Sequence, residues 1–321
     1  MNNKKKMLIC GATGFIGRNL LEYFSQKEEY EVTALAYRTS PPPKLKSGVD
    51  VEWLRADLND RWDVKYITKD TDILLQFAAT TSGAKDIVDK PYIHVTDNAV
   101  MNSLLLRSAY ENGVEHFIFP SCTVMYQSSE SALAESDFDA GQELVSKYFG
   151  VGNTKVYLEK MCEFYSRLGK AKHTVIRHSN VYGPYDKYDY EKSHVFGATV
   201  RKVMDATDTI TMWGTGEERR DLIHVHDLVR FVEAAILNQK SDYGLYNVGV
   251  GKAVSVRELV EKIVEVSGKS LDIVSDLSKP TIKTSLFLDI AKAKEELGWA
   301  PTIDLEQGIE MTLDWYRENI T

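Results

Sequence analysis

The chain has 321 residues, 43% hydrophobic and 27% charged, enough apolar material for one large domain or two modest ones. A net charge of −8 argues against nonspecific attraction to nucleic acid, while leaving room for a local cationic pocket that takes an anionic ligand. No apolar run reaches the length of a membrane span, and the segment after Lys4-Lys5-Lys6 is too short for the apolar region of a signal peptide. Cys10, Cys122 and Cys162 are too widely spaced for a disulfide framework or a metal site, so three free thiols in a cytoplasmic setting are expected.

The apolar run Leu8-Ile9-Cys10 stops at Gly11-x-x-Gly14-x-x-Gly17 and restarts as a helix over 15–25, with Phe15, Ile16, Leu20, Leu21 and Phe24 at helical spacing. In such a turn the first glycine permits the bend and the second lets backbone approach a pyrophosphate. The third lets helix lie close on strand. The helix N-terminus then offers unpaired N–H groups and a positive dipole end to phosphates. Gly11, Thr13, Gly14, Phe15, Ile16 and Gly17 are therefore expected to hold a dinucleotide.

Residues 31–37 read as a second strand, and the prolines of 41–43 as a surface loop. A third strand over 51–55 closes on Ala56-Asp57-Leu58, and a fourth covers 72–79. A long helix over 92–111, a strand over 116–119, a helical segment over 144–168 and a strand over 173–177 follow. This alternation predicts β-α-β units, hence an α/β fold with a doubly wound parallel sheet. Beyond the turn-rich 180–186 the pattern loosens, with helices over 196–206, 228–237, 256–267 and 305–319 and strands over 210–213 and 221–224. These predict a second, smaller lobe interleaved with the last elements of the first.

The opening turn, Asp57-Leu58 and Phe77-Ala78-Ala79 resemble the extended short-chain dehydrogenase/reductase family, mostly nucleotide-sugar epimerases, dehydratases and reductases. Asn98 matches its structural asparagine, and Arg177-x-x-Asn180-x-Tyr182-Gly183-Pro184 the turn that shapes its sugar site. Trp213-Gly214-Thr215-Gly216, Arg219-Arg220-Asp221 and Val225-His226-Asp227 match its nucleotide lobe. Asp289-x-x-Lys292-Ala293-Lys294-x-x-Leu297-Gly298-Trp299-x-Pro301 matches its closing signature. Gly183-Pro184-Tyr185-Asp186 with Ser193-His194-Val195 is most similar to the GDP-fucose synthase-like reductase/epimerases of the family. The resemblance implies a Rossmann domain over 1–178 plus parts of 220–250, and a nucleotide-sugar lobe over 179–219 and 251–321. It also implies a homodimer formed through the helices around Met101 and Lys155, and it places Asp57, Leu58, Ala78, Ala79, Asn98 and Lys155 on the cofactor. Tyr126, Asn180, His194, Val195 and Arg220 fall on the sugar nucleotide.

Strand two ends in Ala36-Tyr37-Arg38 with no acid for the adenosine ribose, and Arg38 could pair with a 2′-phosphate. NADP(H) is thus the preferred cofactor, with NAD(H) as the other option. The resemblance also implies a Tyr-x-x-x-Lys pair, in which the lysine binds the nicotinamide ribose and the tyrosine exchanges a proton with the sugar. Lys155 is present, but Val151 stands where the tyrosine belongs. Tyr23-x-x-x-Lys27 and Tyr188-x-x-x-Lys192 share the spacing by coincidence.

The serine or threonine of the family falls at Cys122, flanked by Ser121 and Thr123. Tyr148 is the first candidate for the missing phenol, because Gly150 and Gly152 start the regular helix after it and leave a lead-in that could fold toward Lys155. Tyr126, Tyr182 and His194 are the others. The cysteine that pairs with His194 in the resembled epimerases falls at Val124, so that pair is incomplete. The resemblance thus implies a 4-keto-sugar reductase or epimerase, with a dehydratase as the other enzyme and a cofactor-binding or sensory protein as the rival outside enzymes.

Overall fold

The computed structural model describes residues 4–42, 44–80, 90–190, 193–278 and 285–320. The first half alternates β1 (Lys5–Cys10), α1 (Phe15–Phe24), β2 (Tyr30–Ala36), β3 (Glu52–Arg55), α2 (Arg61–Ile67), β4 (Ile73–Gln76), α3 (Thr96–Asn112), β5 (His116–Pro120), α4 (Phe149–Ser166) and β6 (Lys172–His178). The second half runs β7 (Asn180–Tyr182), α5 (Val195–Asp205), β8 (Thr209–Trp213), β9 (Arg219–Arg220), β10 (Leu222–His224), α6 (Val225–Asn238) and β11 (Tyr243–Val248). It ends with β12 (Val254–Ser255), α7 (Val256–Ser267), β13 (Asp272–Asp276), β14 (Ser285–Leu286), α8 (Ala291–Leu297) and α9 (Leu305–Asn319).

Seven strands pair in parallel in the order β11-β6-β5-β4-β1-β2-β3, the doubly wound α/β sheet that the alternation predicts. Side chains alternate across it with period two. Met7, Ile9, Leu75, Ile118 and Ile176 join one core with α1 and α6. Leu8, Leu74, Phe117 and Val175 join another with α3 and α4. A third core, built from Tyr182, Phe196, Val200, Leu259, Ile263 and Leu313, holds α5, α7 and α9 together. The chain steps outward from β1 through β2 to β3, then returns to β4 on the other side of β1. That reversal opens a crevice at the C-terminal ends of β1 and β4, where such sheets take their ligands.

The elements outside the sequence pattern are α2, β11, β13 and α8, with the two-residue strands β9, β12 and β14. β11 contains Gly244 and Asn247, which dilute a strand signal, yet pairing with β6 from Tyr243↔His173 to Val248↔His178 makes it the sheet's edge. The fourth strand stops at Gln76, and 180–182, expected as turn, pairs with β10. Pro43 and Lys192 lie outside the described residues. No described helix is long and apolar enough to cross a membrane.

Candidate functional site

Gly11 has φ +78, and a Cβ there would sit 2.6 Å from the Phe77 carbonyl and the Ala78 nitrogen. A Cβ on Gly17 would collide with the Gly11 carbonyl oxygen, so α1 lies on β1 only because neither residue has a side chain. Gly14 is exposed and caps α1 in extended conformation; no side chain caps that end and no acid stands in its first turn. A helix N-terminus left clear of carboxylates, backed by backbone alone, fits a dinucleotide pyrophosphate. The opposite wall is braced by a chain of amides. Gln76 Nε2 donates to Asn102 Oδ1 (3.0 Å), Asn102 Nδ2 to the Asn98 carbonyl (2.8 Å), and Asn98 Nδ2 to the Thr80 carbonyl (3.0 Å). Thr80 N returns a bond to Asn98 Oδ1 at 3.0 Å. Asn98 therefore shapes the segment through Ala78 and Ala79 from behind.

At the adenosine end, the Tyr37 hydroxyl donates to Asp57 Oδ2 at 2.8 Å. Arg38 Nη2 lies 3.1 Å from that hydroxyl and its guanidinium covers the Tyr37 ring at 4.9 Å. The acid missing from the end of β2 is thus supplied from the end of β3, beside the buried Leu58.

Toward the middle of the sheet, Lys155 Nζ donates to the Pro120 carbonyl at 2.7 Å and covers the Phe119 ring. Burial pulls its ammonium below the usual lysine range, against the opposing influence of Cys122 and Glu159. Cys122 is a neutral thiol, raised by burial against the pull of Lys155. Val151 occupies the helix position one turn before Lys155, so no hydroxyl stands there. Tyr148 is the N-cap of α4 and its titrating neighbours are Arg220 and Cys122, not Lys155. The flexible lead-in expected before Gly150 and Gly152 is absent: the helix begins at Phe149, with Tyr148 as its N-cap seven residues before Lys155. Burial raises the phenol against the opposing charge of Arg220. Arg220 itself is drawn down by burial, against Tyr148 and Glu218.

Other candidates separate. Ser121 is buried and donates to Glu159 Oε1 at 2.5 Å, which turns it away from the crevice; Cys122 and Thr123 are partly exposed. Tyr126, expected on the sugar, is buried: its hydroxyl donates to Asn247 Oδ1 and accepts from Arg177 Nη1, both at 2.9 Å, and burial lifts it to about 12. Tyr126 thus braces the frame. The Tyr182 hydroxyl is buried against Gly308, so it carries no proton to a ligand. Asn180 Nδ2 leans on the Asp221 carbonyl at 3.3 Å, and His194 is exposed as the N-cap of α5, followed by Val195. Tyr23 and Lys27 both bind Glu233, and Tyr188 donates to the Gly183 carbonyl. The sequence reading missed Glu159, Arg177's partner; its place one turn after Lys155, facing the same strand, was the available signal.

A Gly-rich strand-to-helix turn at a sheet reversal, with a lysine on the far wall, defines a dinucleotide-binding α/β enzyme fold. A profile described as the NAD dependent epimerase/dehydratase family matches residues 7–249, and the chain belongs to that family. It is similar to a GDP-L-fucose synthase of Azorhizobium caulinodans, 28% identical over 321 residues, covering 98% of this chain and 97% of that one. Among solved structures it resembles a UDP-glucose 4-epimerase of Thermotoga maritima with UDP-glucose, at TM-score 0.85, 25% identity, and coverage of 98% and 100%.

The NADP(H) preference read from Arg38 is corrected to NAD. Similar structures that name their cofactor hold NAD: MoeE5 with UDP-glucuronic acid and NAD (TM-score 0.83, 22% identity, coverage 98% and 100%) and a Thermus thermophilus UDP-glucose 4-epimerase with NAD (TM-score 0.82, 22%, 98% and 100%). The physical reason lies in the Tyr37–Asp57 bond, which brings a carboxylate to the adenosine end, while Arg38 is engaged with Tyr37.

Proposed function

We propose that this family member moves hydride at C4 of a nucleotide-activated sugar, as a 4-keto-sugar reductase or an epimerase. The chain is an NAD-dependent enzyme of nucleotide-sugar chemistry; the position and direction of transfer are our reading. The observation that carries it is the Lys155 amine held on the Pro120 carbonyl at the end of β5, with Cys122 as a neighbour that Lys155 and Tyr148 share and Arg220 beside Tyr148.

Gly11–Gly17 would hold the pyrophosphate, Tyr37 and Asp57 the adenosine, and Lys155 the nicotinamide ribose. When bound, NAD supplies the hydride acceptor or donor. Arg220 offers its guanidinium to the sugar-nucleotide diphosphate, with Tyr148, Asn180, His194 and Val195 around the sugar. We take 1–178 with parts of 220–250 as the cofactor half and 179–219 with 251–321 as the sugar half. A second copy of the chain fits the outer face of α3 and α4, where Val100, Tyr157 and Phe164 are 41%, 48% and 53% exposed. Free thiols at Cys10, Cys122 and Cys162 suit a reducing cytoplasm.

The test is mass spectrometry of the nucleotides that copurify, followed by an absorbance screen of 4-keto nucleotide sugars with NADH. Bound NAD and turnover of one such sugar are expected; silence across the screen overturns the reading. Light scattering should report a dimer, and a monomer removes that part.

A further inference from the structure

Strands β5 and β6 run side by side with Pro120 opposite Ile176, and Ser121 N donates to the Ile176 carbonyl at 2.7 Å. Two residues beyond that pair, the strand ends carry Cys122 and His178. Lys155 Nζ rests on the Pro120 carbonyl, so an imidazole, a thiol and an ammonium converge where α4 shows only Val151.

His178 Nδ1 lies 2.8 Å from the Ser179 carbonyl. A carbonyl only accepts, so Nδ1 carries the hydrogen and Nε2 keeps its lone pair. Nε2 makes no hydrogen bond among the described residues and is not sealed in the interior. This is the arrangement by which a histidine is oriented for proton transfer, one nitrogen tethered and the other open. The titratable groups that face the ring are Lys155 from α4 and His194 from the start of α5. Burial, only partly offset by the Ser179 carbonyl and reinforced by Lys155 and His194, draws the imidazolium down to about 4. The ring is a neutral base at neutral pH.

We propose that His178 carries the proton of the hydride-transfer reaction, in the role that Val151 leaves without a hydroxyl. The assignment rests on the function proposed above. In sugar oxidation Nε2 takes the hydroxyl proton while the C–H hydride departs to the nicotinamide. The O–H and C–H bonds break, the carbon–oxygen double bond forms, and the imidazole becomes imidazolium. Reduction returns the same proton to the sugar oxygen.

The experiment compares the full-length protein with His178→Gln. Turnover number should fall by about 10²–10⁴-fold, the usual worth of a general acid–base group. NAD affinity, read by quenching of tryptophan fluorescence, should hold within about twofold, because only the chemical step is touched. In the wild type, the oxidation rate should stay flat from roughly pH 6 to 9, since a histidine base is already unprotonated, whereas a phenol would make it climb toward its pKa near 10. Adding Val151→Tyr to His178→Gln should recover turnover and bring that alkaline climb with it.

A His178→Gln protein with wild-type turnover overturns the assignment. So does a wild-type rate that climbs through the alkaline range and loses the climb in Tyr148→Phe. A wild type that binds NAD yet turns over no nucleotide sugar overturns the functional reading instead, and this role falls with it.

Discussion

Arg177 and Glu159 form a buried, forked ion pair beneath the candidate site: Nη2 lies 2.7 Å from Oε2 and Nε 3.0 Å from Oε1, with both side chains under 5% exposed. The pair ties β6 to α4, the two elements that carry His178 and Lys155. Arg177 also donates to the Tyr126 hydroxyl and the Glu135 carbonyl, while Ser121 donates to Glu159. The remaining polar atoms of both ions are thereby satisfied, as burial of charge requires.

Removing one partner leaves the other charge buried and unpaired. Glu159→Ala should cost about 3–5 kcal/mol, whereas replacing both residues with apolar ones should cost much less. Urea unfolding of the two variants measures the difference, and equal losses would deny the coupling.

Gly17→Ala puts a methyl onto the Gly11 carbonyl oxygen. α1 must then lift from β1, at an overpacking cost of about 1–3 kcal/mol. NAD binding, followed by calorimetry, should weaken sharply while far-ultraviolet circular dichroism remains that of a folded α/β protein.

Arg220→Ala should weaken nucleotide-sugar binding by about 10–100-fold, the worth of one charge-assisted hydrogen bond to a diphosphate. NAD affinity should not move. Tyr148→Phe removes the hydroxyl proposed to bond the sugar, so KM should rise by about 0.5–1.5 kcal/mol equivalent, with turnover number retained. Steady-state kinetics with the identified sugar separates the two effects.

Asp186 is a buried carboxyl with Oδ2 unpartnered, and burial lifts it to about 7. The folded value exceeds the unfolded one, so the native state binds the proton more tightly. Its stabilising contribution is full at acid pH and is lost as pH rises through about 7. Asp186→Asn should therefore hold its Tm better than wild type between about pH 5 and about pH 8. Parallel melting curves across that range would refute the assignment of the buried charge.

The glycine turn, the alternation of strands and helices and the place of Lys155 were legible in the sequence, because each depends on residues close together in the chain. Gly17 is needed by a contact within its own turn, and period-two and period-3.6 patterns report burial one element at a time, whereas the close approach at Gly11 is to Phe77 and Ala78 beyond β4. Only the tertiary structure decided the rest. Asp57 reaches Tyr37 because β3 lies beside β2, Glu159 reaches Arg177 because α4 crosses β6, and His178 meets Lys155 because β6 lies beside β5. The partners in each pair come from different elements, and the order in which a sheet assembles its strands, with the start of α4 at Phe149, sets which of them meet. Local sequence determines what each segment becomes; packing across the sheet decides which charge, phenol or imidazole stands beside the lysine.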